Sequence, residues 1–201
     1  GVKISSGRIA WSVEADAAIR STPALGQKAI YFGDEAGHVY AVGSGGRRLW
    51  RFRTRRAVTS SPLLADETLY VGSMDGYLYA LDTQNGWDVW RYRAGGPIIS
   101  SPAASDSDVF FGGVNGDVYA VSLDSGRLRW RYETGGQVTS SPSYCRETVY
   151  VGSVDGALYA IDAQSGKLRW RFDTQGPVIS SPCVVGDRVY FGSVDRHVYA
   201  L

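Results

Sequence analysis

Residues 153–170, Ser153-Val154-Asp155-Gly156-Ala157-Leu158-Tyr159-Ala160-Ile161-Asp162-Ala163-Gln164-Ser165-Gly166-Lys167-Leu168-Arg169-Trp170, decide the fold. Asp155-Gly156 is a two-residue hairpin signal, because glycine takes the positive φ that such a turn needs. Ala157–Asp162 then reads as a short apolar strand, Gln164-Ser165-Gly166 as a second turn, and Lys167–Asp173 as a further strand. Alternation in that last strand puts Leu168, Trp170 and Phe172 on one face and Arg169, Arg171 and Asp173 on the other. Upstream, Ser140–Tyr144 reads as a short strand with Pro142 near its start, where a missing N–H is tolerated. Thr148–Gly152 has the β-branched and aromatic content of a buried strand. Four antiparallel strands therefore fit into one unit.

The unit recurs. Trp11, Trp50, Trp90, Trp130 and Trp170 are 39, 40, 40 and 40 residues apart. Pro23, Pro62, Pro102, Pro142 and Pro182 keep the same intervals, as do Gly33, Gly72, Gly112, Gly152 and Gly192. A period near 40 residues without helical periodicity, and with four strands per period, predicts an all-β fold, a five-bladed β-propeller of four-stranded antiparallel blades. The two ends complement each other: Ser6–Trp11 matches Ser165–Trp170, and Val198–Leu201 matches Leu158–Ile161. The expectation is one domain over residues 1–201, its ring closed by the N-terminal strand joining the C-terminal blade, hence a monomer. The alternative is an open arc of a larger propeller, whose exposed edges would drive oligomerisation.

Composition narrows the function classes. Lys plus Arg total 21 and Asp plus Glu 20, so no global positive field invites nucleic acid. No apolar run reaches membrane-spanning length, so membrane insertion is not expected. Gly1–Ser6 lacks signal-peptide features, as a mature or excised domain would. Cys145 and Cys183 are too few for a disulfide framework and are expected to be free, buried thiols. His38 and His197 share one repeat position, expected to be exposed and not to form a metal site. Ser21, Ser60, Ser100, Ser140 and Ser180 are expected near the central channel, lining water or capping turns; no activating base accompanies them. Tyr40, Tyr79, Tyr119, Tyr159 and Tyr199 recur in every unit and therefore serve the blade.

Function is sought where the copies disagree. Hairpins between second and third strands, and the connections between blades, emerge on one face. There Arg20 replaces the Thr59, Ile99, Thr139 and Ile179 of other units, Asp34-Glu35 replaces Ser73-Met74 or Ser153-Val154, and Arg55-Arg56 replaces Gly95-Gly96 or Gly135-Gly136. Arg20, Asp34, Glu35, Arg55 and Arg56 are the candidate binding residues, for a protein or a small ligand at the channel face. Part of the basic run from Arg47 to Arg56 is simply repeat grammar, since Arg51, Arg91, Arg131 and Arg171 recur. Two further irregularities stand out. Arg196 occupies the hairpin position held by glycine elsewhere, so a different turn type is expected there. Trp87 has no counterpart and is expected on the outer edge.

A family resemblance rests on the spacing Ala-x-Asp-x-x-x-Gly-x-x-x-Trp. It is complete at Ala80, Asp82, Gly86 and Trp90 and at Ala160, Asp162, Gly166 and Trp170. It is partial at Ala120, Ser122, Gly126 and Trp130. With the Ser-Ser-Pro strings and the strings around Tyr-Val-Gly-Ser-x-Asp-Gly, the chain resembles the pyrroloquinoline-quinone-type (quinoprotein-like) propeller repeat over nearly its whole length. The resemblance implies blade docking by Trp11, Trp50, Trp90, Trp130 and Trp170, with Asp82, Asp162, Gly86, Gly126 and Gly166 completing the motif. It also favours an extracytoplasmic location. Related repeats serve as protein-interaction platforms in outer-membrane assembly and as sensor domains of bacterial Ser/Thr kinases. The quinone-dependent dehydrogenases of this group carry an adjacent cysteine pair, a calcium site and a catalytic aspartate. Here there is no Cys-Cys, no Cys-x-x-Cys-His and no Asp-x-Asp-x-Asp-Gly loop. The expectation is a non-catalytic binding or scaffold module without cofactor or metal. An amplified or designed repeat without a selected ligand is the other reading, because Thr68–Trp90 and Thr148–Trp170 agree closely.

Overall fold

The computed structural model describes residues 6–201; Gly1–Ser5 lie outside the described residues, and with them most of the N-terminal stretch read for a signal peptide. The fold is all-β, in five antiparallel sheets that follow the chain in order. The first holds β1 (Ala24–Leu25), β2 (Ala29–Gly33), β3 (His38–Gly43) and β4 (Arg48–Arg53). The second holds β5 (Leu63–Ala65), β6 (Thr68–Gly72), β7 (Tyr77–Asp82) and β8 (Asp88–Arg93). The third holds β9 (Ala103–Ala104), β10 (Asp108–Gly112), β11 (Asp117–Ser122) and β12 (Leu128–Glu133). The fourth holds β13 (Ser143–Cys145), β14 (Thr148–Gly152), β15 (Ala157–Asp162) and β16 (Leu168–Asp173). The last holds β17 (Cys183–Val185), β18 (Arg188–Gly192) and β19 (Val198–Ala200).

Each blade is a meander in sequence order, so local hairpins supply most of the pairing. The fourth strand does not alternate cleanly. Ala160 pairs with Trp170 and Ile161 with Leu168, so a bulge sits at Arg169. The bulge turns Leu168 out to solvent, and it is exposed rather than packed beside Trp170. The innermost strand is shorter than the sequence implies. β13 begins only at Ser143, because the preceding serines make other bonds.

Those bonds explain the Ser-Ser-Pro strings. The first serine closes onto its own blade: Ser100 Oγ donates to Gly112 O at 2.9 Å and accepts from Gly112 N at 2.8 Å. Ser21 and Ser180 repeat this on Gly33 and Gly192. The second serine reaches the next blade. Thr22 N donates to Ser61 Oγ, Ser61 N to Ser101 Oγ, Ser101 N to Ser141 Oγ and Ser141 N to Ser181 Oγ, at 2.9–3.1 Å. A hydroxyl ladder thus links successive innermost strands, satisfying backbone donors that the short strands leave over.

At the outer side the tryptophans do the equivalent. Trp50 Nε1 donates to Thr83 O at 2.9 Å, Trp90 Nε1 to Leu123 O at 2.9 Å and Trp130 Nε1 to Ala163 O at 2.7 Å. Trp11 Nε1 reaches Ser44 O at 2.8 Å in the same way. Each indole lies on a glycine of the following turn. A Cβ on Gly86 would fall 2.6 Å from the Trp50 ring, and one on Gly126 2.4 Å from Trp90. These glycines also have positive φ, 76° at Gly86 and 64° at Gly126, so both space and backbone demand the residue. Asp82 and Asp162 shape that turn: Asp82 Oδ1 accepts from Gln84 N and Asn85 N, and Asp162 Oδ1 from Ser165 N.

Between these inner and outer links the faces of adjacent blades form apolar cores. Val39, Val58, Leu69 and Val71 are among the buried residues between the first two blades, and Phe110, Val138, Val149 and Ile161 between the third and fourth.

Closure of the ring by the N-terminal strand is not shown among the described residues. β19 is hydrogen-bonded to β18 alone, which leaves the last sheet with three strands. Cys145 and Cys183 are free thiols, but the expected burial fails: Cys145 is half-buried and Cys183 exposed. Cys183 opens β17, next to Val184, which packs toward the fourth blade. Trp87 is 75% exposed.

Candidate binding site on the hairpin rim

The hairpins between second and third strands lie against the connections between blades. Met74 N donates to Ala57 O, Val154 N to Gln137 O and Val194 N to Pro177 O. A carboxylate reinforces this in most blades. Asp155 accepts from Tyr159 Oη at 2.5 Å, from Ala157 N at 3.0 Å and from Gly135 N of the adjacent connection at 2.8 Å. Asp75 does the same with Tyr79, Tyr77 N and Arg55 N, and Asp195 with Tyr199, His197 N and Gln175 N. Burial pushes the Asp155 carboxyl up, but the bonds from Tyr159, Gly135 N and Ala157 N together outweigh it and hold it below the usual carboxylate range. The Tyr159 hydroxyl is pushed up to about 12, first by burial and then by its bond to Asp155.

The first blade solves the problem differently. Ala36 stands where the others have Asp or Asn, and Asp34 supplies the missing carboxylate from two residues earlier. Asp34 Oδ1 accepts from His38 N at 2.7 Å, Asp34 Oδ2 accepts from Tyr40 Oη at 2.9 Å, and Tyr40 Oη accepts from Asp16 N at 3.1 Å. Asp34 is fully buried, at 0% exposure. Asp34 thus stands inside the turn and not on the open rim, two residues before the position of the turn carboxylate in the second, fourth and fifth blades.

His38 also departs from expectation. It is 7% exposed rather than solvated, whereas His197 is exposed. Its Nδ1 lies 3.3 Å from Asp16 Oδ2 and 3.4 Å from Asp34 Oδ2, and Asp16 in turn receives Arg51 Nη1 at 2.6 Å. Asp16 lies on the connection into the blade and is remote from His38 in sequence, so no local pattern announces the cluster. Among the described residues no group of three or more His, Cys, Asp or Glu side chains is arranged to hold a metal ion.

The remaining candidates sit on the open rim. Arg20 and Glu35 form an exposed ion pair, and Glu35 N donates to Ala18 O, fixing the hairpin on its connection. Arg55 and Arg56 are exposed. Their backbones are engaged, Arg55 N by Asp75 and Arg56 O by Thr54 Oγ1. Their guanidinium groups meet no carboxylate among the described residues. The repeated arginines differ: Arg51, Arg91, Arg131 and Arg171 each stand within 2.6–3.9 Å of an aspartate. The structure thus separates the five candidates into a buried turn residue, an ion pair and two unneutralised cations.

Arg196 corrects the other turn expectation. Its φ is 76°, close to the 87–93° of Gly37, Gly76, Gly116 and Gly156, and Arg196 N donates to Ser193 O as Gly76 N does to Ser73 O. The turn type is kept despite the wrong residue, because the flanking ladder and Asp195 impose it.

Among the described residues no helix is long and apolar enough to cross a membrane. No curated protein sequence matches the chain. The family model described as outer membrane protein assembly factor BamB matches residues 1–143 and 114–201. Among solved structures, BamB from Moraxella catarrhalis is similar with a TM-score of 0.86 and 20% identity, covering 96% of this chain and 64% of that one. The computationally designed Ika8 protein gives a TM-score of 0.80 at 17% identity, over 89% of this chain and 56% of its own. Quinohemoprotein alcohol dehydrogenase from Comamonas testosteroni gives 0.79 at 17% identity, over 92% of this chain and 41% of its own. At such identities these likenesses show the fold alone, and the chain spans less than two thirds of each. With the family model matched along both halves, the chain belongs to the BamB family of propellers built from quinoprotein-type repeats.

Proposed function

We propose that this chain is a non-catalytic scaffold whose hairpin rim, at the first two blades, binds an acidic segment of a protein partner. The observation that carries the reading is the pair Arg55 and Arg56, exposed on the rim and without a carboxylate among the described residues, whereas the repeated arginines of the fourth strands each stand beside an aspartate. Two guanidinium groups on one connection offer forked donors for carboxylates, and the Arg20–Glu35 pair borders them with both charges. The name of the family model, an outer-membrane assembly factor, supports protein binding as the class of function. The carboxylates of the hairpins are engaged in holding turns, which leaves none of them poised as a base beside a nucleophile.

The test is binding of an acidic peptide followed by fluorescence anisotropy at two salt concentrations. Arg55→Ala/Arg56→Ala should weaken binding about tenfold or more and flatten its salt dependence. Unchanged binding in the double variant would sink the reading. Absence of binding in the parent chain would favour instead a repeat without a selected ligand, a reading supported by the close agreement of Thr68–Trp90 with Thr148–Trp170.

A further inference from the structure

The face opposite the hairpin rim is built from the turns between first and second strands and between third and fourth strands. On that face, at the junction of the first two blades, lies a cleft of about 770 Å³. Ala29, Tyr31 and Leu64 form its floor, and Leu25 and Leu49 form its lip on the first blade. Ala29 and Tyr31 are buried, whereas Leu25 is 75% exposed and Leu49 51%.

Comparison of the copies shows why the space is open. At the junction of the third and fourth blades the corresponding positions are filled from within. Tyr144, at the position of Leu64, stacks on Phe110 with ring centroids 5.4 Å apart. Arg129, at the position of Leu49, reaches Asp108 at 3.1 Å, where the first blade has Ala29. The first junction has neither the ring nor the ion pair. The second blade stands between the two, with Val89 at the arginine position and Thr68 at the aspartate position. Gly26 widens the opening further. Its backbone lies outside the left-handed region, so the turn does not demand glycine, yet a Cβ there would fall 3.0 Å from the Tyr31 ring and 3.2 Å from Leu64. The other units carry Ala65, Ser105, Cys145 and Val185 at this position. Leu25 and Leu49 thus flank an unfilled apolar floor, and covering them removes apolar surface from water.

Charge distinguishes the two sides of the cleft. Asp66 and Glu67, in the turn of the second blade, line it; both are exposed and meet no cationic side chain among the described residues. Lys28 stands on the side of the first blade. We infer that this cleft docks a segment of a partner polypeptide in which bulky apolar side chains are followed by basic ones. The apolar part lies on Leu25, Leu49 and Leu64, and the basic part lies against Asp66 and Glu67. Lys28 repels a cation on the first-blade side and so sets the direction of the segment. A small ligand confined to the floor would leave Leu25 and Leu49 in water, whereas a segment crossing the cleft covers both. Docking here does not depend on Arg55 and Arg56, which lie on the opposite face.

Methyl NMR of the 201-residue chain, titrated with the end-capped peptide Gly-Leu-Leu-Lys-Lys-Gly, tests this. The methyls of Leu25, Leu49 and Leu64 should shift together, and Gly-Leu-Leu-Glu-Glu-Gly should bind about tenfold more weakly or worse. Asp66→Asn/Glu67→Gln keeps the turn, because asparagine tolerates the φ of 50° found at Asp66. It should bring the lysine peptide down to the level of the glutamate peptide and flatten its salt dependence. Ala29→Asp/Leu49→Arg/Leu64→Tyr installs the filling of the third and fourth blades and should abolish the titration. Should that variant fail to fold, Asp66→Asn/Glu67→Gln decides alone. Arg55→Ala/Arg56→Ala should leave the titration unchanged, which separates this site from the hairpin rim. Absence of shifts at the three leucines, or equal affinity for the two peptides, would overturn the inference. So would binding of hexylamine as tight as that of the lysine peptide, which would mark a small-ligand pocket. Leucine shifts that grow with protein concentration alone would overturn it in favour of contact between copies.

Discussion

The hairpin rims of the first and fourth blades perform one task with carboxylates placed two residues apart. In the fourth, Asp155 sits in the turn beside Gly156 and reaches Tyr159, Ala157 N and the adjacent connection. In the first, the turn residue is Ala36, and Asp34 at the end of the preceding strand collects Tyr40 Oη and His38 N. What the repeat preserves is the tyrosine hydroxyl with an anionic acceptor. The location of that acceptor is free to move, because two side chains near the same turn can reach it.

The comparison breaks most severely at Asp34. It is fully buried, so Asp34→Ala would leave the Tyr40 hydroxyl and His38 N without their acceptor and remove a neighbour of the His38–Asp16–Arg51 cluster. We expect a loss of about 3 kcal/mol in urea unfolding, at the upper end for stranded buried donors. Asp34→Ser combined with Ala36→Asp converts the first hairpin to the pattern of the second and fourth. The double variant should recover most of the loss. Failure to recover would mean that Asp34 is held for its contact with His38 rather than for the tyrosine.

The next effect is smaller and depends on pH. Asp155→Asn keeps the shape but puts an amide N–H₂ where donors arrive. Blade three tolerates an asparagine there because Asn115 Nδ2 contacts Asp117 Oδ2 at 2.5 Å and Gly95 N turns to Tyr119 Oη at 3.1 Å. Blade four has Ala157 in place of Asp117, so no second carboxylate can compensate. The expected cost at neutral pH is about 1–2 kcal/mol. Because the folded-state value of Asp155 is depressed, its contribution is present above about pH 4 and is lost as pH falls through the folded value. The gap between parent and variant should therefore narrow in acid. At the other limb, Tyr159 is raised to about 12, so its contribution is complete below about pH 10 and disappears as pH rises through 12. Unfolding measured at pH 3, 7 and 11 checks both signs.

These hairpins also show what the sequence could and could not disclose. Period, strand order and the tryptophan seats are written in residues that recur, and Trp50, Gly86, Trp90 and Gly126 announce themselves by spacing. The charge asymmetry at Asp34-Glu35 was equally visible, but its meaning depended on a three-dimensional equivalence. Asp34 and Ala36 occupy different repeat positions, and only the reach of Tyr40 makes one the substitute for the other. From sequence His38 reads as exposed, because a strand position next to a turn usually is; Asp16 and Arg51, from two other segments, stand against it. The hydroxyl ladder through Ser61, Ser101, Ser141 and Ser181 lay in plain sight as Ser-Ser-Pro, but its donors cross between blades, which periodicity alone does not show.

The smallest effect concerns the fifth hairpin, where the turn is unchanged but its residue is wrong. Arg196 adopts φ of 76° with a Cβ that glycine lacks, and Arg196 N still donates to Ser193 O. A left-handed conformation costs a branched-free L-residue about 1 kcal/mol relative to glycine, while glycine gains entropy in the unfolded chain. Arg196 is exposed and forms no ion pair among the described residues, so little is lost with its side chain. Arg196→Gly should therefore stabilise the chain by somewhat less than 1 kcal/mol, a rise of a few degrees at most in a thermal melt. The same substitution in reverse, Gly156→Arg, should cost more, because Gly156 belongs to a blade packed on both sides and its Cβ would lie 3.3 Å from Gly176 O. If the two changes proved equal and opposite, the backbone conformation alone would set the energy. An excess in the fourth blade would measure how much the neighbouring connection adds to the constraint on the turn.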